Sequence, residues 1–500
     1  MVNINKRIDD FTVVVNAGTS LSDNSSDLLG YGGPIRDTGV PNVFNVFDLD
    51  NAKKRATQEG WEEMTQSIFA SAEIGWKSML YLTLTGRNDW ASQLKGSNPT
   101  SFFYPSVGLS AVISEMVTLP KAIDYLKVRG SFSSVGTPYP RFLVQPTYSY
   151  DPTKQDWNAK THYPIGKLKP ERTDSWEIGV DGTFFKDFKV SGSFYYANTY
   201  NQTFDPKITV SSGYSTLYVQ TGYVRNLGVE GLLSYGHTWR DFGWNSNFTF
   251  SWNKNKIVEL VKDYVHPETG EIVNKDRLEL KGLGYTKFIL KEGGTLGDLY
   301  TNADFIRDDK GYIQIDKNGD VAKTDNLPDI KLGSVFPKAN LAWNNSFSYK
   351  GIYAGFQLSA RLGGIVYSAT QAALDQYGVS EASAAARDRG GVLVNGRSWV
   401  NAQQYYEIVA TSSGLPQYYT YSATNLRLQE AHIGYTIPRK WLGNICDINV
   451  SVVGRNLWMI YCKAPFDPEA IATTSNFYQG IDYFMMPSTR NFGFNVKINF

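Results

Sequence analysis

A period of two runs through the whole chain. In "SMLYLTLTGR", Leu80, Leu82 and Leu84 alternate with Tyr81, Thr83, Thr85 and Arg87. "WNSNFTFSWN" sets Trp244, Phe248, Phe250 and Trp252 against Asn245, Asn247, Thr249, Ser251 and Asn253. "AGFQLSARL", "DINVSVVGRNLW" and "NFGFNVKINF" repeat the pattern, the last with Phe492, Phe494, Val496, Ile498 and Phe500 on one parity. Successive side chains of a strand point to opposite faces, so this period builds strands with one apolar and one polar face. Charges keep to the polar parity: Glu73, Arg87, Lys127, Arg129, Glu177, Asp181, Arg361, Arg455 and Lys497 all fall there. A soluble sandwich also alternates, but it packs its apolar faces against each other. With Tyr 32, Phe 27 and Trp 12, the apolar faces here are too numerous and too aromatic for that solution.

The alternation predicts about fourteen strands, near 11–20, 62–74, 79–88, 102–117, 124–136, 173–184, 189–201, 223–238, 244–257, 338–349, 352–369, 421–437, 446–459 and 489–500. Long connections at 21–61, 137–172, 202–222, 258–337, 370–420 and 460–488 alternate with short ones: "WKS" (76–78), "KDF" (186–188), "RDFG" (240–243) and "KG" (350–351). The connection at 89–101 is intermediate. Transmembrane barrels have tight periplasmic turns and long outer loops. The fold expected is all-β: part of an antiparallel, up-and-down transmembrane barrel. One stretch breaks the alternation. In "NLRLQEAHIGYTIP", Leu426 and Leu428 share parity with Glu430, while Ala431, Ile433, Tyr435 and Ile437 take the other. Either a bulge or a strand leaving the apolar band there accounts for it.

Composition agrees. Charged residues make up 19% of the chain, against about 25% in soluble domains. Mean hydropathy is −0.32, and no run approaches the roughly 18 apolar residues of a transmembrane helix. A net charge of +1 with no basic stripe argues against nucleic acid as a partner. Cys446 and Cys462 lie at the two ends of one expected strand, too far apart for a disulfide.

Several segments resemble the C-terminal barrel half of SusC/RagA-type TonB-dependent transporters. They are "GRNDW" (86–90), "SFFYPSVGLSAVIS" (101–114), "LKVRGSFSSVGT" (126–137), "LKPERTDSWEIGVDGTFF" (168–185), "EGGTLGDLY" (292–300), "LRLQEAHIGYTIPRKWL" (426–442), "GRNLWMIYCKAPFDPEA" (454–470) and "YFMMPSTRNFGFNVKINF" (483–500). The resemblance implies a barrel of about 22 strands with a plugged lumen, of which this chain supplies about 14. Residues 1–500 are then the C-terminal portion of the transporter, with long extracellular loops. "MVNINKRIDDF" has no apolar h-region, so neither a signal peptide nor the plug is expected within the chain.

The resemblance further implies the outer membrane of a Gram-negative, Bacteroidetes-type bacterium. The implied partners are outer-membrane lipid, a SusD-like surface lipoprotein lid, TonB acting through the N-terminal part, and an oligosaccharide or peptide ligand. A dimer of transporter–lipoprotein pairs is a further possibility of the family. A passive pore of about fourteen strands is the alternative. The terminal aromatic strand carries the expected assembly signal: Phe492, Phe494, Val496, Ile498 and Phe500.

Other candidate sites are weaker. "IDKNGDVAKTD" places Asp316, Asn318 and Asp320 at alternate positions, a spacing of oxygen ligands that suits calcium. However, Val321 and Leu327 stand where the fuller loop of the family has Gly and a closing ligand, and Asn318–Gly319 equally suits a type I′ turn. His162, His237, His266 and His432 form no paired motif, "EGG" is no phosphate loop, and no nucleophile elbow occurs. No catalytic residue, metal or cofactor is expected, and the chain is not read as an enzyme. Trp157, Tyr163, Trp399, Tyr405, Tyr406, Tyr418 and Tyr419 either stack on sugar rings, pack the loops or join an interfacial girdle.

Overall fold

The computed structural model describes residues 1–37, 43, 45–96, 99–143, 149–151, 156–158, 162–163, 169–204, 216–217, 219–265, 270, 272–473 and 479–500. Fifteen strands form one antiparallel sheet that follows chain order. They are β1 Val2–Ile8, β2 Phe11–Gly32, β3 Arg55–Trp76, β4 Leu80–Ala91, β5 Ser101–Val112, β6 Ile123–Thr137, β7 Glu171–Phe184 and β8 Phe188–Phe204. The rest are β9 Val219–Trp239, β10 Phe242–Glu259, β11 Ala339–Tyr349, β12 Ile352–Leu362, β13 Asn425–Ile437, β14 Asp447–Cys462 and β15 Asn491–Asn499. All fourteen expected strands are present. The alternation does not reveal β1, because Lys6 stands on the parity of Val2, Ile4 and Ile8. Among the described residues β1 and β15 do not pair with each other, so the sheet does not close on itself as the small-pore alternative requires.

The hairpin of β2 and β3 corrects one expectation. Residues 21–61 were expected as a loop, yet each strand is 22 residues long and the pairing runs out to Gly32 and Arg55. A membrane crossing needs only about 9–11 residues. The polar outer part, "SDNSSD" against "TQEGWEE", therefore stands beyond the apolar band.

Side chains sort as the parity predicts. Trp176, Ile178 and Val180 of β7 are 59%, 62% and 44% exposed. Glu177 and Asp181, on the alternate parity, face the other way and meet Arg129 of β6. Cross-strand partners share a face, so Arg455 of β14 reaches Glu430 of β13 at 2.9 Å on that same inner side. The break in β13 is a bulge. The register to β12 passes from Gln357–Glu430 to Leu358–Leu428, skipping Gln429. The extra residue lets Leu426, Leu428 and Ile433 all keep the outer parity while Glu430 stays inside.

Turns of two or three residues join the strands at one end: Asp9–Asp10, Lys77–Met79, Phe185–Asp187, Arg240–Asp241 and Lys350–Gly351. The opposite end carries the long connections. Two of these, 258–337 and 370–420, were expected only as connections and instead fold. One holds a four-stranded sheet of Arg277–Lys281, Lys287–Lys291, Asp298–Thr301 and Ile330–Ser334. A second sheet joins Thr420–Ser422, Ile365–Ser368 and Ile481–Asp482. Helices Ala369–Gln376, Glu381–Asp388 and Ala402–Val409 start at Ser368, Ser380 and Asn401, whose side chains accept first-turn backbone N–H groups. Phe288, Leu290, Leu299, Val335 and Leu415 are fully buried in this layer. The apolar core thus sits over one mouth of the sheet. Among the described residues no helix is long and apolar enough to cross a membrane; in this chain the strands are the crossing elements. Cys446 and Cys462 are free.

Candidate lumenal site

The polar face of the sheet is an organised surface. Arg129 holds Asp181 at 2.6 Å and Glu177 at 3.4 Å, and the Ser191 hydroxyl donates to Asp181 at 2.6 Å. Beside this group lies a groove of about 400 Å³ that Ser193, Glu230 and Ser251 help to line. It is shallow and charged.

A larger cavity of about 960 Å³ opens where the inner wall meets the folded loops. Asn226, Asn253 and Asn255 contribute from β9 and β10; Thr295, Ser334 and Lys338 contribute from the loop side. The inward parity of the wall strands brings these amides together. Asn255 donates to the Asn226 carbonyl at 2.9 Å and accepts from the Leu296 backbone N–H at 3.0 Å. Asn253 donates to the Tyr195 hydroxyl at 2.9 Å. Glu171, Lys254 and Lys338 are the ionisable residues that line it. Amides and hydroxyls can both donate and accept. The lining therefore suits a ligand with many neutral hydrogen-bonding groups, such as sugar hydroxyls or peptide bonds.

The loops are clamped to the wall. The "EGG" segment pairs with β10: Gly293 N–H donates to Ile257 O at 2.9 Å, and Ile257 N–H donates to Gly294 O at 2.8 Å. The buried Asp298 carboxylate takes the Lys331 ammonium at 2.5 Å and the Thr295 hydroxyl at 2.6 Å. Arg427 of β13 makes a two-pronged contact to Asp467, at 2.7 and 3.1 Å, and reaches Glu469 at 3.3 Å. Burial alone would raise the Asp467 pKa. Hydrogen bonds from Arg427, Ser488 and the Glu469 N–H more than offset this and hold it below the ordinary carboxylate range. Arg427 was read from sequence only as part of a resembling segment; its signal was the "DPE" block that supplies Asp467 and Glu469.

The other candidates separate. Asp316 Oδ1 accepts the N–H groups of Asn318 at 2.8 Å and Asp320 at 3.0 Å, so it caps its own hairpin turn. Gly319 alone there has a left-handed φ, +88°, so the turn is wider than the expected type I′. Among the described residues no group of three His, Cys, Asp or Glu forms a metal cluster. His237 sits at the tight-turn end, 2.8 Å from Asp187, and His432 lies 3.8 Å from Glu430. His266 and the side chains of His162 and Tyr163 lie outside the described residues. Tyr405 and Tyr419 are loop core: burial pushes the Tyr405 phenol up to about 12, and burial beside Asp375 raises Tyr419. Tyr418, Trp399 and Trp157 are exposed, Tyr418 against Phe305 and Trp157 against Tyr150.

A meander that is apolar outside and charged inside, with tight turns at one end and folded loops at the other, is the wall of an outer-membrane β-barrel. The chain belongs to the TonB dependent receptor-like, beta-barrel family, whose model matches residues 4–457. It is 24% identical over 463 residues to TonB-dependent receptor P3 of Formosa agariphila, covering 86% of this chain and 45% of that protein. It is 24% identical over 246 residues to TonB-dependent receptor SusC of Bacteroides thetaiotaomicron, covering 44% of this chain and 24% of SusC. The chain thus spans about half the length or less of the curated relatives it matches. The RagAB peptide importer in its closed-closed state shares the fold, with a TM-score of 0.75, 17% identity, and coverage of 100% of this chain and 55% of that one. The family consists of outer-membrane receptors and transporters, not enzymes.

Proposed function

We propose that this chain forms wall, mouth and ligand contacts of an outer-membrane importer for glycans or peptides. Energy would arrive through TonB by way of segments outside these residues. A SusD-like surface lipoprotein would lid the loop side, and two such transporter–lipoprotein pairs would form a dimer. The observation that carries the reading is the amide-lined cavity between the inner wall and the clamped loops. The RagAB importer, which shares the fold, is named for peptides, one of the two ligand classes proposed. We also assign an assembly role to the strand ending in Phe492, Phe494, Val496, Ile498 and Phe500.

The test fills the cavity. Asn253 and Asn340 line it and are exposed on the wall, so Asn253→Trp and Asn340→Trp can occupy it without breaking a loop clamp. In the full-length protein both should abolish growth on the imported glycan or peptide while outer-membrane abundance stays unchanged. Unaltered uptake by the double variant would overturn the reading.

A further inference from the structure

The three helices of the loop layer, Ala369–Gln376, Glu381–Asp388 and Ala402–Val409, enclose a second pocket of about 430 Å³. It shares no lining residue with the lumenal cavity. Its size falls within the range of small-ligand pockets, about 300–1,000 Å³. Its lining is polar where helices packed only on one another would be apolar. Asp375, on the first helix, is 6% exposed, and among the described residues it makes no ion pair. Its carboxylate accepts the Tyr419 hydroxyl at 2.9 Å and the Gln371 amide at 3.3 Å. A carboxylate offers about four acceptor positions, so part of its capacity stays open. Tyr406 also lines the pocket, and its phenol is raised by burial and by the Asp375 charge, which places the two groups near each other.

Donors come from the other two helices. Arg387 lies against Gly378, where a Cβ would stand 2.8 Å from Nη1. Gly378 has a φ of +70°, so the chain turns there and leaves room for the guanidinium. Among the described residues Arg387 makes no side-chain hydrogen bond or ion pair. Gln403 donates to Glu407 at 2.8 Å on the exposed side of the third helix. A guest must therefore donate to Asp375 and Glu407 and accept from Arg387 and Gln403. A carboxylate would be repelled by the two acids, and an ammonium by Arg387. An apolar guest would strip water from a carboxylate and a guanidinium and give nothing back. Adjacent hydroxyls of a sugar ring donate and accept at once, and charged planar groups bind them well. Tyr377, 76% exposed at the lip, offers a ring to the C–H face of such a sugar.

We propose that this pocket is a saccharide site on the loop surface, with Asp375, Arg387, Gln403 and Glu407 on the hydroxyls of one neutral sugar residue and Tyr377 against its ring. The proposal rests on the importer reading and selects the glycan from its two ligand classes.

The full-length protein in detergent tests it, in the Asn253→Trp, Asn340→Trp background that fills the lumenal cavity. Methyl glucoside, methyl galactoside and methyl mannoside are the probes, read by saturation-transfer NMR, with the matching uronides and amino sugars as charged comparators. At least one neutral glycoside should bind, about 10-fold more tightly than either charged counterpart. Arg387→Ala with Gln403→Ala replaces two exposed residues and should leave the melting temperature unchanged. It should weaken glycoside binding about 10-fold. Lys310→Ala with Lys317→Ala, exposed loop cations away from the pocket, should not. Binding of none of the three glycosides, equal binding of a charged counterpart, undiminished binding by the Arg387, Gln403 variant, or an equal loss in the Lys310, Lys317 variant overturns the proposal. Those outcomes leave the importer reading in place with peptides as its ligand. Normal growth of the lumenal variant overturns that reading instead, and sugar binding at the helices remains measurable.

Discussion

Leu358 and Gln357 are neighbours in the chain and face different media. Leu358 shares the outer parity of β12 with Phe356, while Gln357 lies across from Glu430 on the inner face. Arg on the lipid face near mid-bilayer costs about 2–4 kcal/mol. Leu358→Arg should therefore lower assembled barrel in heat-modifiable gel mobility, and Gln357→Arg, meeting a carboxylate, should not. Equal losses would contradict the assignment of faces. Ser359 is a poor control, since it pairs directly with the buried Arg427. The Arg427–Asp467 clamp supplies a pH signature. The Asp467 pKa is depressed, so its contribution is complete above about 3.9, the unfolded value, and is lost as pH falls through the folded one. Wild-type melting should hold steady down to about pH 4 and then drop. Asp467→Asn, which leaves a buried guanidinium short of a partner, should cost on the order of 3–5 kcal/mol and flatten that drop. A wild-type drop that survives in the Asn variant would assign it elsewhere. At this scale the sequence marks which face each charge takes, because parity alone decides it. It does not mark Arg427 as a clamp, since its partner lies 40 residues away, beyond the whole of β14.

The bulge in β13 shows what an element needs beyond its pattern. If Gln429 took a regular place in the ladder, strict alternation would send either Leu426 and Leu428 or Ile433 and Tyr435 inward; the bulge at Gln429 prevents this. Deleting Gln429 leaves Leu426, Leu428, Ala431 and Ile433 on one unbroken parity with Glu430 opposite, so the deletion variant should still assemble, as should Gln429→Ala. Loss of heat-modifiable mobility in the deletion variant would refute the register. The wall strands were legible because a period of two survives at any length. The loop elements were not. Strands such as Asp298–Thr301 span four residues, too few to show a period, and are held by pairing to Ile330–Ser334 far along the chain. The three helices of 369–409 are eight residues each. Such short helices depend on the packing of one face, here around Ala372, Ala386 and Val409, more than on propensity. The cavity amides were visible only as polar-parity residues of β9 and β10; the loops that complete their site could not be placed from sequence.

The whole molecule has a direction, and the connections set it. Long loops at one end and tight turns at the other mean that β15, entered from the 463–490 connection, runs toward the tight-turn side and reaches it at Phe500. Its outer parity continues that of β14: Phe494 pairs with Val452, and Val496 with Val450. At the far end Arg439 donates to the Asn499 carbonyl at 3.5 Å, which ties the strand to the last tight connection. Phe500 extends beyond that bond and is 83% exposed. It packs little against the sheet, so its removal should cost the finished barrel less than the loss of a wall residue such as Phe494. The proposed assembly role predicts the opposite ranking for biogenesis. In the full-length protein, deletion of Phe500 should lower outer-membrane abundance far more than Phe492→Ala does. The Phe500-deleted protein that does insert should melt at the wild-type temperature. Quantifying surface abundance and melting temperature for both variants separates the two quantities. A parallel fall in abundance and melting temperature would mean that Phe500 is only another apolar contact and that the strand carries no signal.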